Sequence, residues 1–369
     1  MLKIELAFSW RSNDGAPETV EAIVFDLLEA IGSGGSLRSA ARTTGLSYRH
    51  AWATVGKWAK ICGQPLVQLH RGRGASLTEF GSKLLAARQR ARTRLADHLD
   101  SLSRELATEI GGSARNLALR VHASHDLALI RLRDLFARGS GFDLDLEFHG
   151  SLDSLASLAR GQCDIAGFHV AVDLLPAEAA TFRQWLKPRS QTLIQFVTRR
   201  QGLMLAAGNP CRIRGVSDLA EKKVRFINRQ RSSGTRVEFD RLLAKAAIDA
   251  RRIAGYQTEE FTHLAVAATI AGGMADAGFG IEAAAAQFGL DFVPLVSERY
   301  FLVCRDQVLK QPAVQKMIEL LRSPGFRAEA SQLPGYEVSE SGNILKIKEL
   351  IANDPRARSG IATAAIRDH

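Results

Sequence analysis

Cysteine is scarce. Cys62, Cys163, Cys211 and Cys304 are the four in 369 residues, and none forms a CxxC pair or a Cys/His cluster. That spacing excludes a disulfide framework and a structural zinc motif, and it suits reduced thiols in a cytosol. Long apolar runs are missing too. The best candidate, residues 264–290, is broken by Gly272-Gly273, Asp276 and Glu282, far short of the roughly 18 clean residues a membrane span needs. The first ten residues carry Lys3 and Glu5 and no apolar core, so no export signal is expected. There is no HExxH, no GxSxG and no GxxxxGK[ST]. The metal-protease, hydrolase and Walker signatures are therefore absent. Aromatic residues make up only 7% of the chain.

What remains is globular: 46% hydrophobic and 24% charged, which excludes wholesale disorder and low complexity. At about 150 residues per domain the length predicts two or three domains. The formal charge is +10, and it is concentrated. Between Ser36 and Arg94 stand twelve bases, among them Arg38, Arg42, Arg49, Lys57, Arg71 and Arg73, against the single acid Glu79. A basic block confined to one module is the footprint of a polyanion binder; a merely solvated basic face is the plainer alternative.

Residues 2–11 alternate weakly and read as a strand. Pro17 then opens a helical pattern, with Val20, Ile23, Val24, Leu27, Leu28 and Ile31 at three- and four-residue spacing. Gly32 to Gly35 ends it. Ser36 caps a short helix over 37–43, Gly45 makes a tight turn, and Ser47 caps a third helix to about Cys62. Two short helices about a Gly-containing turn form a helix-turn-helix. The third helix presents Ser47, Tyr48, Arg49 and His50 at its start, where recognition helices touch base edges. Arg49 suits guanine. Thr54 and Lys57 are expected on the exposed face, and Trp52, Val55 and Trp58 in the core. Residues 66–70 and 75–77 read as a hairpin wing with Arg71 and Arg73 at its tip, placed for phosphate contact together with Ser36 and Arg38. An unbroken helix follows over 78–110, with Leu95, Leu99, Leu102, Leu106 and Ile110 as a seam. That stripe packs either on its own domain or on a second copy.

The stretches Ser36-Leu37-Arg38-Ser39-Ala40-Ala41, Gly45 to Trp52 and Leu77-Thr78-Glu79-Phe80-Gly81 resemble the DNA-binding domain of the molybdate-responsive ModE regulators and their LysR-type relatives, over about residues 1–110. The resemblance implies a dimer on a palindromic operator, paired through the 78–110 helix.

After Ser113 the pattern becomes βαβαβ: strand 116–121, helix 126–138, strand 144–149, helix 151–160, strand 164–169. This order predicts an open α/β sheet with parallel strands and a ligand site at their C-terminal ends. Those ends are polar, offering Ser124, His125, Gly150, Ser151 and His169. A second α/β block runs over about 201–292. Its strand end Asn228-Arg229, the segment Ser232-Ser233-Gly234-Thr235-Arg236 and the helix start Thr262-His263 add hydroxyls and free N–H groups, a ready anion site. Ordinary helix caps beside solvated arginines are the plainer reading. The turns carry few aromatic residues, which disfavours a flat aromatic ligand. Several histidines, His122, His125, His149, His169 and His263, stand in this half. Without a motif around them, no catalytic residue, metal ligand or cofactor is assigned, and an enzyme is not expected.

The segments 228–236, 259–267 and 275–282 resemble the periplasmic-binding-protein-like domain found fused to ModE- or LysR-type DNA-binding domains. The expected architecture is thus α/β and multidomain. A winged helix-turn-helix (1–77) and a linker or dimerisation helix (78–112) precede a two-lobed α/β domain (113–350), with a tail at 351–369. Lobe I takes 113–198 and 296–350, and lobe II takes 199–295. Strands 192–198 and 296–303 are the expected crossovers. The resemblance implies a cytoplasmic homodimer or homotetramer without membrane contact. It would bind double-stranded DNA and sense a small anion, molybdate or tungstate, in the cleft. Formate or another small carboxylate competes, since the small molybdate-binding domains that ModE itself carries are missing. A solute-binding protein is the alternative from another class.

Overall fold

Two serine hydroxyls set the phase of the N-terminal module. In the computed structural model, which describes residues 9–11, 19–34, 36–70, 74–111, 118–173, 181–231 and 233–352, Ser36 Oγ accepts from Ser39 N at 3.0 Å and Ser47 Oγ accepts from His50 N at 3.1 Å. Each satisfies an N–H that the first helical turn leaves open. They start α2 (Leu37–Thr43) and α3 (Tyr48–Ile61), behind α1 (Ala22–Gly34). The α2–α3 turn needs Gly45, whose φ is +71°. The first helix begins at Ala22 rather than at Pro17, because Thr19–Val20 (β2) pairs with Trp10–Arg11 (β1). The rest of the expected first strand, residues 2–8, lies outside the described residues.

Val24, Leu27, Leu28 and Ile31 of α1 meet Leu37, Ala40 and Ala41 of α2 and Ala51, Val55 and Trp58 of α3 in one core. The wing is β3 (Val67–His70) against β4 (Gly74–Leu77), antiparallel. Its base rests on α4 (Glu79–Gly111), where a Cβ on Gly81 would come within 2.1 Å of the Leu66 carbonyl oxygen. Only glycine permits that approach.

The remaining chain builds one ten-stranded sheet, ordered β10-β9-β11-β8-β12-β7-β5-β6 in its main path. At one end β5 (Ala118–Ala123) lies parallel to β6 (Asp143–Phe148) and to β7 (Ile165–Ala171). At the other, β9 (Phe226–Arg229) lies parallel to β10 (Glu259–Glu260) and β11 (Ala277–Ile281). Two 15-residue strands, β8 (Gln191–Leu205) and β12 (Asp291–Arg305), run antiparallel through the middle and serve both ends. They contain the expected crossovers and extend beyond them. The first end carries α5 (Leu127–Gly139) and α6 (Ser151–Arg160). The second carries helices Gly234–Lys245 and His263–Ala271. β6, β9 and β10 thereby deliver the helix starts at Gly150, Ser233 and Thr262 to the same gap between the lobes. Beyond helix Pro312–Arg322 the chain adds strands Tyr336–Glu337 and Ile344–Lys346, both paired with β8. Residues 353–369 lie outside the described set.

The modules touch within one chain. Gly272, after helix His263–Ala271, faces α4 so closely that a Cβ there would lie 2.8 Å from Ala86 Cβ. Arg90 Nη1 donates to Met274 Sδ at 2.7 Å.

Candidate functional site

Two surfaces gather the predicted residues. On the N-terminal module, Arg38, Tyr48, Arg49, His50 and Lys57 are exposed, and Ser36 and Ser47 stand at the starts of α2 and α3. Lys57 Nζ lies 3.8 Å from Glu21, a loose surface pair worth little. Arg71 and Arg73 lie outside the described residues. Two expectations are corrected. Thr54 is only 6% exposed, and Trp52 is 49% exposed beside Tyr48 at 48%. Ala51, Thr54, Val55 and Trp58 form the inward stripe at spacings of three, four and seven. The i, i+4 pair Tyr48 and Trp52 therefore shares the outward face with the bases.

The second surface is a cleft of about 510 Å³ between the lobes. Lobe I contributes Ser124, His125, Gly150 and His169; lobe II contributes Arg229, Ser233, Gly234, Thr235, Thr262 and His263. Three helix N-termini converge there. Gly150 opens α6 and has no side chain to cap it. Ser233 caps the next helix by accepting from Arg236 N, and Thr262 caps the third by accepting from Ala265 N. Ser151 sits just behind the lining, its hydroxyl 3.1 Å from Ser124 Oγ. The lobes nearly touch at the back: a Cβ on Gly234 would lie 3.1 Å from His169 Nε2 and 3.7 Å from Ser151 Oγ.

Two predicted residues stay out of the cleft. Asn228 is buried, and its amide donates to the Tyr256 carbonyl at 3.2 Å. Arg236 turns away to Asp240 at 3.1 Å and Glu259 at 3.3 Å and stacks over Tyr256. Ser232 lies outside the described residues. Sequence reasoning missed Leu95, Phe148, Gln230 and Phe261, which line the cleft beside His149 of the second polar turn. The two phenylalanines give its rim more aromatic surface than the turns promised. Phe148 ends a parallel strand, a position that could have marked it; Phe261 and Leu95 carry no such local signal.

Beneath the cleft lies a sealed ionic network. Arg199 of β8 is fully buried, with Nη1 2.5 Å from Asp126 Oδ2 and Nε 2.6 Å from Glu298 Oε1. Asp126 also caps α5 and accepts from Tyr336 Oη at 2.8 Å. Tyr300 Oη donates to the Ser124 carbonyl at 2.7 Å, fixing the cleft floor. Burial is the largest single influence on Glu298 and pushes it up, but the Arg199 charge and hydrogen bond, with His169 and Gln201, together outweigh it and hold the carboxyl below its usual range. Burial drives His169 down to about 4 and His263 well below the usual imidazole value, the latter helped by Arg229. Both rings are thus neutral at physiological pH. Nδ1 of each lacks a hydrogen-bond partner among the described residues. His263 Nε2 stands 3.4 Å from Thr235 Oγ1. The cleft therefore offers hydroxyls, neutral imidazoles, helix N-termini and one guanidinium, and no Asp or Glu is among its lining residues. Arg229 is held by the Phe261 carbonyl at 2.9 Å and by Gln230 at 3.0 Å.

A two-lobed sheet with a hinge of two long strands and a cleft at the helix starts defines a class of binding domain. The chain belongs to the PBP superfamily domain family, whose pattern it matches over residues 133–322. It is 35% identical over 207 residues to the uncharacterized protein YvgK of Bacillus subtilis, covering 54% of this chain and 64% of that one. It is 38% identical over 101 residues to the molybdenum-pterin-binding protein MopB of Rhodobacter capsulatus, covering 26% of this chain and 37% of that protein. Among solved structures, hydrogen-peroxide-bound OxyR of Corynebacterium glutamicum aligns over 85% of this chain and 94% of its own, at 16% identity and a TM-score of 0.44. The chain thus spans less than two thirds of either curated relative. Among the described residues, no helix is long and apolar enough to cross a membrane.

Proposed function

We propose that the chain is a cytoplasmic, ligand-responsive transcriptional regulator. It binds double-stranded DNA through the α3 face and wing and senses a small oxyanion of the molybdate or tungstate type between its lobes. It acts as a homodimer or homotetramer through the 78–110 helix, and it is a binding protein rather than an enzyme. The observation that carries the effector reading is the cleft lining: three helix N-termini, hydroxyls and Arg229, with no carboxylate side chain among them. Such donors suit an acceptor-only ligand. The name of the Rhodobacter relative supports molybdenum as the element. Arg229 favours a second reading, formate or another small carboxylate, because a guanidinium takes a carboxylate through two parallel bonds. A transported-solute protein fits less well, since it has no use for the basic N-terminal module.

The ligand would draw the lobes together about β8 and β12, a hinge motion. It changes operator affinity only by its differential affinity for the two states, typically ~1–3 kcal/mol. The test is calorimetry of the full chain with molybdate, tungstate, sulfate and formate, repeated with Ser233→Ala and Thr235→Ala. Weakened binding of one anion in both variants is expected; unchanged binding in both removes the cleft assignment. Duplex affinity, measured in parallel, should fall by orders of magnitude between about 50 and 200 mM salt. Salt-insensitive affinity would refute the DNA reading.

A further inference from the structure

We propose that lobe I carries a divalent transition-metal site built from His122, Glu147 and His149. The parallel register of β5 and β6 sets His122 opposite Glu147. His149 follows Glu147 by two residues, and the two-residue period of extended chain returns its side chain to the same face. Glu147 Oε2 lies 3.0 Å from His149 Nε2 and 3.4 Å from His122 Nε2, and one ligand atom from each residue falls within 4.8 Å of the others. Tetrahedral coordination with bonds of about 2.0–2.1 Å places ligand atoms about 3.3–3.4 Å apart, so Glu147 already stands near coordination spacing from each imidazole. The imidazole rings face each other with centroids 4.7 Å apart.

Two imidazoles and one carboxylate select a borderline cation such as Zn²⁺ over Mg²⁺ or Ca²⁺, which prefer oxygen alone. Packing fixes the His122 ring, which is only 9% exposed, with Nε2 turned toward Glu147. The neighbouring cation does not compete for Glu147: Arg120 is engaged by Asp164 through Nη2 at 2.9 Å and Nε at 3.1 Å. Glu147 and His149 are partly exposed and give the ion a way in. Three protein ligands leave at least one position for water or a small anion. Because His149 also lines the cleft, that position stands at the cleft rim. The site itself does not depend on the anion reading above.

The experiment titrates Co²⁺, followed by visible absorption, and Zn²⁺, followed by calorimetry, into tag-free, chelator-treated full-length protein. One equivalent is expected, with the intense d–d bands of low-coordinate Co²⁺. Glu147→Gln and His149→Asn should each lose affinity by about tenfold or more, while their thermal transitions without metal show that they fold. The proposal is overturned if the parent shows no such bands, if sulfur-to-cobalt charge transfer reports cysteine binding instead, or if both folded variants keep the parent's affinity.

Discussion

Replacing Arg199 by methionine tests the ionic network directly. The guanidinium is sealed from solvent and is the one cation paired with both Asp126 and Glu298. Removing it leaves two buried carboxylates, of which Asp126 retains the α5 N–H groups and Tyr336. Breaking a buried pair from one side costs about 3–5 kcal/mol. For a domain of this size that is a fall in melting temperature on the order of 10 °C. The pH dependence gives the sharper signature. In the parent, Glu298 titrates below its unfolded value. Its contribution is therefore present above the unfolded pKa and is lost as pH falls through the folded one. Without Arg199, burial is the dominant influence left on Glu298 and lifts it above the unfolded value. The variant is then most compromised at neutral pH and regains stability on mild acidification, the reverse of the parent. Chemical denaturation at pH 7.5, 5.5 and about 4, the last below the ordinary carboxylate value, with Glu298→Gln and the double variant completing a cycle, measures both effects. The reasoning fails if Arg199→Met stays within about 1 kcal/mol of the parent at neutral pH, or if the two proteins share the same pH slope.

Three further outcomes follow from other parts of the molecule. Gly81→Ala gains helix propensity but drives a Cβ to 2.1 Å from the Leu66 carbonyl; a net loss of about 1–3 kcal/mol is expected, read by chemical denaturation followed by circular dichroism, and a stabilised variant would contradict the close approach. Trp52→Ala should change stability by no more than about 0.5 kcal/mol because the ring is half exposed, yet weaken duplex binding about tenfold in an anisotropy titration; full affinity would remove Trp52 from the reading face. His169, at about 4 in the folded protein, takes up a proton more readily when unfolded. Its neutral form therefore costs stability progressively as pH falls from about 6.5 toward 4, up to about 3 kcal/mol. His169→Gln should flatten the stability profile over that window, and an unchanged profile would show that the ring titrates normally.

How much of this could be read from the chain depends on the range of the interaction. Ser36 and Ser47 were legible as caps because each bonds a backbone N–H three residues on. The exchange of Trp52 for Thr54 on the outer face of α3 is an error of helical phase: residue type suggested a buried Trp, whereas the three-four-seven stripe through Ala51 and Trp58 decides. Arg236 was placed in the cleft because it follows Ser233 and Thr235. One turn into a helix, however, its long side chain reaches Asp240, four residues ahead on the same face. The pairing of Tyr336 with Asp126 spans 210 positions, and that of His122 with Glu147 is created only by strand register. No local pattern announces either.

Helix His263–Ala271 has one end in the cleft and the other, at Gly272, pressed on the stem of the winged module. Nine residues make a rod about 13 Å long. Swung by about 5° around its cleft end, such a rod carries its far tip roughly 1 Å, as much as interface helix shifts that switch other proteins. With glycine at that tip there is no side chain to cushion the push. A displacement at the cleft end would reach Ala86 as a shove of backbone against a methyl group, coupling the space between the lobes to the stem of the winged module.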